Sequence, residues 1–328
     1  MDKLNVMSEK WDYLIILDAC RYDYFEQVYK DYIQGDLSRV VSAGSCTNEW
    51  RDKSFSDYYE DIVYISANPQ ICADQPVYDY CAGEHFSEVH EIWKDGWDRE
   101  KGTVLPQTLT EAALEIISRS PNSGKRYIIH YLQPHAPYLG LSHETGGYLN
   151  ADINKVRSLV GAGGNAPVSG FKVKLFRLLM RLFERNRLLT NKPQWFLRKF
   201  LAIPPKAPLE AAWRSAGRCG LRKAYKANLT AVLQQVAVLI RNLSGGIIVT
   251  SDHGELLGEG GCYGHPPGST NPLLLTVPWL VVDRENKDIK SVTATARTAP
   301  KDAATRQKVD QSADEDIVDK LRALGYYD

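Results

Sequence analysis

Short apolar runs alternate with stretches of helical spacing along this chain, which is the signature of α/β layering. Residues 12–17, 61–66, 126–132, 246–251 and 278–282 read as strands. Between them, Thr108 to Arg119 and the long stretch from Leu209 to Leu243 place apolar residues at helical spacing, and the second should pack on the sheet just before the strand 246–251. From Val160 to Gly170 the chain turns to Gly, Ala and Pro, and Phe171 to Phe200 is then basic and apolar together. That stretch reads as an inserted helical pair interrupted near Asn191-Lys192-Pro193. After Val282, the polar segment Asp283 to Asp314 has too little apolar content to fold alone, and Glu315 to Tyr327 recovers a short amphipathic helix. The pattern predicts a main domain over 1–282 with a basic helical insertion at about 160–205, a polar linker over 283–314 and a C-terminal helix over 315–328.

Composition narrows the class. The 328 residues are 44% hydrophobic, and 40 Lys and Arg balance 40 Asp and Glu, so the chain can bury a full core and carries no global field that would attract nucleic acid. The N-terminus lacks an apolar core of signal-peptide length and no run of about 18 apolar residues occurs, which makes a cytoplasmic location the default expectation. The six cysteines, Cys20, Cys46, Cys72, Cys81, Cys219 and Cys262, form no CxxC pair, so free thiols are expected rather than a zinc ribbon or a disulfide framework.

The candidate chemistry sits at strand ends. The run Gly246 to Thr250 leads into Ser251-Asp252-His253-Gly254-Glu255, answered downstream by Gly264-His265-Pro266. An Asp and a His at the mouth of a strand offer a hard oxygen and a borderline nitrogen, half of a divalent-metal site. The strand 12–17 ends on Asp18, and two parallel strands that finish on carboxylates can bring them to one sheet edge, where open α/β folds bind ligands. The small-residue loop Ser42 to Trp50 could open a helix at Thr47 or Asn48. A hydroxyl there sees free backbone amides and the positive end of the helix dipole, and metal coordination would make it an attacking alkoxide. Thr47 is therefore the nucleophile candidate. After the strand 126–132, Pro134 and Pro137 hold a loop that projects His135, a group suited to gripping an anion or protonating a leaving oxygen. His130, inside the strand, reads as a core or second-layer group, and Arg21 as an anion contact or an ordinary ion pair.

In order and spacing these motifs resemble the alkaline phosphatase superfamily, most closely its sulfatase-like branch of sulfatases, phosphonate monoester hydrolases and phosphoglycerol transferases. The resemblance covers Asp18, the loop with Thr47, His130 to Tyr138, Ser251 to Glu255, His265 and the terminal Leu321 to Tyr326. It implies a sheet sandwiched by helices, a metal held by Asp18, Thr47, Asp252 and His253, and substrate-side roles for His135 and His265. Two departures from ordinary sulfatases matter. Ala19 stands where a second Asp would follow Asp18, and Cys46 lacks the Pro and Arg of the CxPxR pattern that formylglycine formation needs. The resemblance thus implies a threonine-dependent enzyme acting on phosphate or sulfate esters through a covalent intermediate. It implies one divalent ion, manganese first, with zinc, magnesium or calcium open. The basic, apolar stretch Phe171 to Phe200 would suit a glycan- or lipid-linked anionic ester and a peripheral membrane contact, or else a cap over the site. The rival reading is a sulfatase-like binding module for anionic glycans or lipid headgroups that performs no catalysis.

Overall fold

A computed structural model describes residues 4–119, 124–141, 191–201, 205, 207–283 and 313–325. Among the described residues, eleven strands are β1 (Tyr13–Leu17), β2 (Gly35–Val41), β3 (Tyr59–Ser66), β4 (Phe86–Glu91), β5 (Trp97–Asp98), β6 (Thr103–Val104), β7 (Arg126–Tyr131), β8 (Ile247–Thr250), β9 (Leu256–Glu259), β10 (Cys262–Gly264) and β11 (Thr276–Val282). The helices are α1 (Tyr22–Glu26), α2 (Thr47–Ser54), α3 (Ile92–Asp95), α4 (Pro106–Arg119), α5 (Asn191–Phe200), α6 (Pro208–Arg241), α7 (Pro272–Leu275) and α8 (Ala313–Leu324).

Seven strands form the central sheet in the order β2-β11-β8-β1-β7-β3-β4. β8, β1, β7, β3 and β4 run parallel, and β11 is antiparallel to both β8 and β2. The strands read as continuous apolar runs because both faces are covered. Successive side chains of β1 alternate between the two: Tyr13, Ile15 and Leu17 pack with Leu229, Val232, Leu233 and Val236 of α6 and Leu109 of α4, whereas Leu14 and Ile16 pack with Trp50 and Phe55 on the α2 side. The expected α/β sandwich is present. α8 closes the first face with Ile317, Leu321 and Leu324.

All five predicted strands form, as do the two helices predicted between them, Thr108 to Arg119 and Leu209 to Leu243. The edge strands β2 and β4 went unpredicted, because they are half-exposed and polar (Gly-Asp-Leu-Ser-Arg-Val-Val and Phe-Ser-Glu-Val-His-Glu) and depend on pairing with β11 and β3. Within α6, Gly217 (φ 64°, ψ −176°) breaks the helix into two parts. Of the expected helical pair, only the half beginning at Asn191 falls among the described residues, as α5, and the linker residues 284–312 lie outside them.

Candidate active site

Parallel pairing sets Ile16 of β1 beside His130 of β7 on one side and Thr250 of β8 on the other, so the residues that follow these strands emerge together at the carboxyl edge of the sheet. The turn after β1 is tied to the turn after β8. Ala19 enters the left-handed region (φ 59°) and its N–H donates to Asp252 Oδ1 at 3.0 Å, while Cys20 N–H donates to Ser251 Oγ at 2.8 Å. Ala19, the residue after Asp18, thus enters this cluster through its backbone N–H. Gly254 is required for the second turn. A Cβ there would lie 2.0 Å from the Leu273 carbonyl oxygen, and the Gly254 N–H donates to Leu274 O at 2.7 Å.

Thr47 is the first residue of α2, following the extended Cys46 (φ −153°, ψ 165°). Its Oγ1 donates to Asp252 Oδ2 at 2.8 Å and lies 3.2 Å from His253 Nε2. That nitrogen is in turn 3.3 Å from Asp252 Oδ2 and 3.8 Å from Asp18 Oδ1. The four side chains named as metal ligands from the sequence thus converge, all fully buried. His253 Nδ1 donates to Gly254 O at 2.8 Å, which turns the Nε2 lone pair toward the group. Burial, with His265 alongside, holds the His253 pKa well below its ordinary value, so the ring is neutral, the form that ligates metal.

Two neighbours were not assigned to the site by sequence reasoning. Asn68, two residues past β3, donates from Nδ2 to Asp18 Oδ2 at 2.7 Å and fixes the rotation of that carboxylate. His130 bonds Tyr64 OH through Nδ1 at 2.9 Å, while its buried Nε2 has no hydrogen-bond partner among the described residues. Burial pushes its pKa down to about 4, against the pull of Asp252. One ring nitrogen of His130 and one oxygen each of Asp18 and Asp252 lie within 4.8 Å of one another. Carboxylate oxygens, a hydroxyl, neutral imidazoles and an unpartnered buried nitrogen make a donor set that fits a divalent ion.

A second group adjoins the first. His135 follows the cis Gln133–Pro134 bond, and its loop is held by Asn228 of α6, whose Nδ2 donates to His135 O at 3.2 Å and Pro137 O at 3.1 Å. Its Nδ1 is 2.5 Å from Ala136 O. His265 Nδ1 is 3.2 Å from Oε1 of the buried Glu255. His135, Glu255 and His265 each offer a ligand atom within 4.8 Å of the others, and the His265 ring is centred 4.4 Å from His253 and 5.2 Å from His135. Burial and the neighbouring His265 lower the His135 pKa to about 3. For His265, burial works downward, but the Glu255 carboxylate overrides it and holds the pKa above its ordinary value.

Glu255 carries no role in the sequence reading, although a local signal for it exists. Gly260 and Gly261, both at positive φ (58° and 80°), form the two-residue turn between β9 and β10. The resulting register pairs Leu256 with Gly264, which sets the flanking Glu255 and His265 opposite each other. Arg21 is not an anion contact: it is buried and pairs with Asp23 at 2.7 Å and Glu259 at 2.8 Å. All six cysteines are free.

No family model matches the chain, and no curated protein matches it. Solved structures do. The soluble domain of lipooligosaccharide phosphoethanolamine transferase A from Neisseria meningitidis aligns at 15% identity and a TM-score of 0.47, over 82% of this chain and 75% of that one. The chain spans 47% of the integral membrane form of that protein. The C-terminal periplasmic domain of EcEptC from Escherichia coli, in complex with Zn, aligns at 13% identity and 0.47, over 87% and 77%. The phosphonate monoester hydrolase of Agrobacterium radiobacter aligns at 13% and 0.46, over 82% and 67%. The chain is similar to enzymes of the branch its motifs resemble. The roles of individual residues rest on the geometry above. The expected cytoplasmic location is corrected by the same comparison, because these neighbours include a periplasmic domain and the soluble part of a membrane enzyme. Absence of a leader-like N-terminus was a weak basis for it, since a stretch of sequence says nothing of what precedes it. Among the described residues, no helix is long and apolar enough to cross a membrane.

Proposed function

We propose that the chain is a metal-dependent hydrolase or transferase of phosphate or sulfate esters that acts through Thr47. The observation that carries this reading is the placement of Thr47 Oγ1 at the first turn of α2, 2.8 Å from Asp252 and 3.2 Å from His253. Asp18, Asp252, His253 and Thr47 would hold the ion, manganese, zinc or another divalent cation, which when bound lowers the pKa of the attacking hydroxyl and screens the ester's charge. Thr47 Oγ1 attacks phosphorus or sulfur as the bond to the leaving oxygen breaks, and its proton leaves along the hydrogen bond to Asp252 Oδ2. The α2 amides receive the ester oxygens. His265, its pKa raised by Glu255, gives a proton to the leaving oxygen, while the neutral His135, its Nδ1–H committed to Ala136 O, offers an Nε2 lone pair suited to a cation rather than to a non-bridging oxygen. Water or an acceptor alcohol then releases the group from Thr47.

A two-ion version, in which His135, Glu255 and His265 would hold a second cation and His265 would no longer be the acid, is supported by their convergence; metal content of the purified chain separates the versions. The deciding experiment is a rate panel on aryl phosphate monoester, phosphodiester and sulfate with manganese, zinc, magnesium or calcium, comparing wild type with Thr47→Ala. Metal-dependent turnover that the variant lacks is expected. Equal turnover in both proteins would refute the threonine mechanism, and none with any ester or acceptor alcohol would leave the binding-module alternative.

A further inference from the structure

α5 is pinned to the body of the protein by one face and, among the described residues, exposed on the other. Its inner side carries Trp195, stacked on Tyr263 of β10 with ring centres 4.6 Å apart, and Arg198, whose Nε donates to the buried Glu210 at 3.2 Å. The Lys192 N–H donates to Gly261 O at 3.1 Å. These contacts fix which way the helix faces. Outward it presents Lys192, Pro193, Phe196 and Phe200 as one helical stripe, with Lys199 exposed at its margin and its Nζ donating to Arg214 O at 2.9 Å. Phe196 and Phe200 are 64% and 77% exposed, the most exposed large apolar side chains among the described residues.

Two phenylalanines one turn apart, flanked by lysines, have no reason to face water in a helix already held by its other side. α5 contains no acidic residue. On α6, the exposed Arg218 lies near Tyr263, on which α5 packs, and the carboxylates of Glu210 and Glu259 are each engaged by arginines. The surface is thus apolar at its centre and positive around it. We propose that this face of α5 is a docking surface for an anionic phospholipid bilayer, with Phe196 and Phe200 entering the interface and Lys192 and Lys199 among the headgroups. A ten-residue helix is about 15 Å long, too narrow by itself to supply the roughly 800 Å² that each side of a stable protein interface buries. Through β10 the docked helix would bring the residue after Gly264, His265, near the membrane surface. The proposal stands apart from the catalytic reading and is tested without turnover.

The test is sedimentation of the full chain with phosphatidylcholine vesicles, with and without phosphatidylglycerol, at low and high salt. Wild type is expected to sediment with the anionic vesicles at low salt. Phe196→Ser with Phe200→Ser should reduce that binding about tenfold or more, and Lys192→Gln with Lys199→Gln should weaken its salt dependence. Because Phe196, Phe200 and Lys192 are exposed, melting temperatures of the Phe variant and of Lys192→Gln alone should remain close to wild type, and Lys192→Gln alone is the charge variant free of the Lys199 bond to Arg214 O. No binding by wild type, undiminished binding by the Phe variant, or equal binding to neutral vesicles would each overturn the proposal. So would concentration-dependent self-association that the Phe variant abolishes, which would assign the face to a second copy of the chain.

Discussion

Replacing Asp252 by Asn separates a metal site from a structural hydrogen-bond cluster. The amide keeps the shape of the carboxylate: its oxygen still accepts from Ala19 N–H and His253 N–H, and its NH2 meets Thr47 Oγ1, a hydroxyl able to accept. What disappears is a charge whose oxygen lies within 4.8 Å of one on Asp18. At an effective dielectric constant of about 20, two such charges repel by about 3.5 kcal/mol. In the absence of metal, the variant should therefore be as stable as wild type or more stable, by up to about 3 kcal/mol. A divalent ion at about a hundredfold excess over its Kd stabilises wild type by about 2.7 kcal/mol, and the variant, short of an anionic ligand, gains little of this. The assay is denaturant unfolding of both proteins with EDTA and with manganese or zinc. The order of stability should close or reverse between the two conditions. An equal loss in both, or an equal metal-dependent gain in both, would refute the reasoning, because Asp252 would then be acting only as a hydrogen-bond acceptor.

Thr47→Ala should lower turnover by about a thousandfold or more, a barrier increase of about 4 kcal/mol, while Thr47→Ser retains part of the rate; burst kinetics and intact-mass detection of a modified Thr47 check the covalent step. Glu255→Gln should move the alkaline limb of the pH–rate profile to lower pH, since the carboxylate is what raises the His265 pKa. The stability that this pair contributes is fully present below the ordinary histidine pKa and is lost as pH rises through the raised value, so melting curves of the variant and wild type should converge at alkaline pH. Arg51→Met should destabilise by roughly 2–5 kcal/mol in denaturant unfolding, because the buried guanidinium donates to Gln70 O at 2.6 Å and Val77 O at 3.0 Å and leaves both carbonyls unpaired when removed. Gly217→Ala should cost about 1–3 kcal/mol although its Cβ would meet nothing within 4 Å, because φ 64° with ψ −176° is backbone territory that essentially only glycine occupies.

The central strands and the two long helices were legible in the sequence because their apolar residues are dictated by burial on both faces or along one stripe. The same holds for the strand-end residues Asp18, Asp252 and His253, whose positions relative to a parallel sheet follow once the strands are known. Thr47 was legible through the small-residue loop that opens α2. The edge strands β2 and β4 were not, since their polar, half-exposed residues owe their conformation to hydrogen bonds from β11 and β3. Asn68 and His130 were not assigned to the site for a related reason. Asn68 stands in no local motif, and His130, although it opens the His130 to Tyr138 segment, reads there as a core or second-layer group; each reaches the site because β7 pairs with β1 and β3 with β7. Sequence therefore determined which segments would be strands and helices and which side chains could do metal and ester chemistry, because those follow from local periodicity and from donor type. Tertiary structure decided which of these groups meet. The pairing of β1 between β7 and β8, and the β9–β10 turn that sets Glu255 against His265, join residues far apart or unremarkable in the chain through backbone hydrogen bonds and packing that no local pattern encodes.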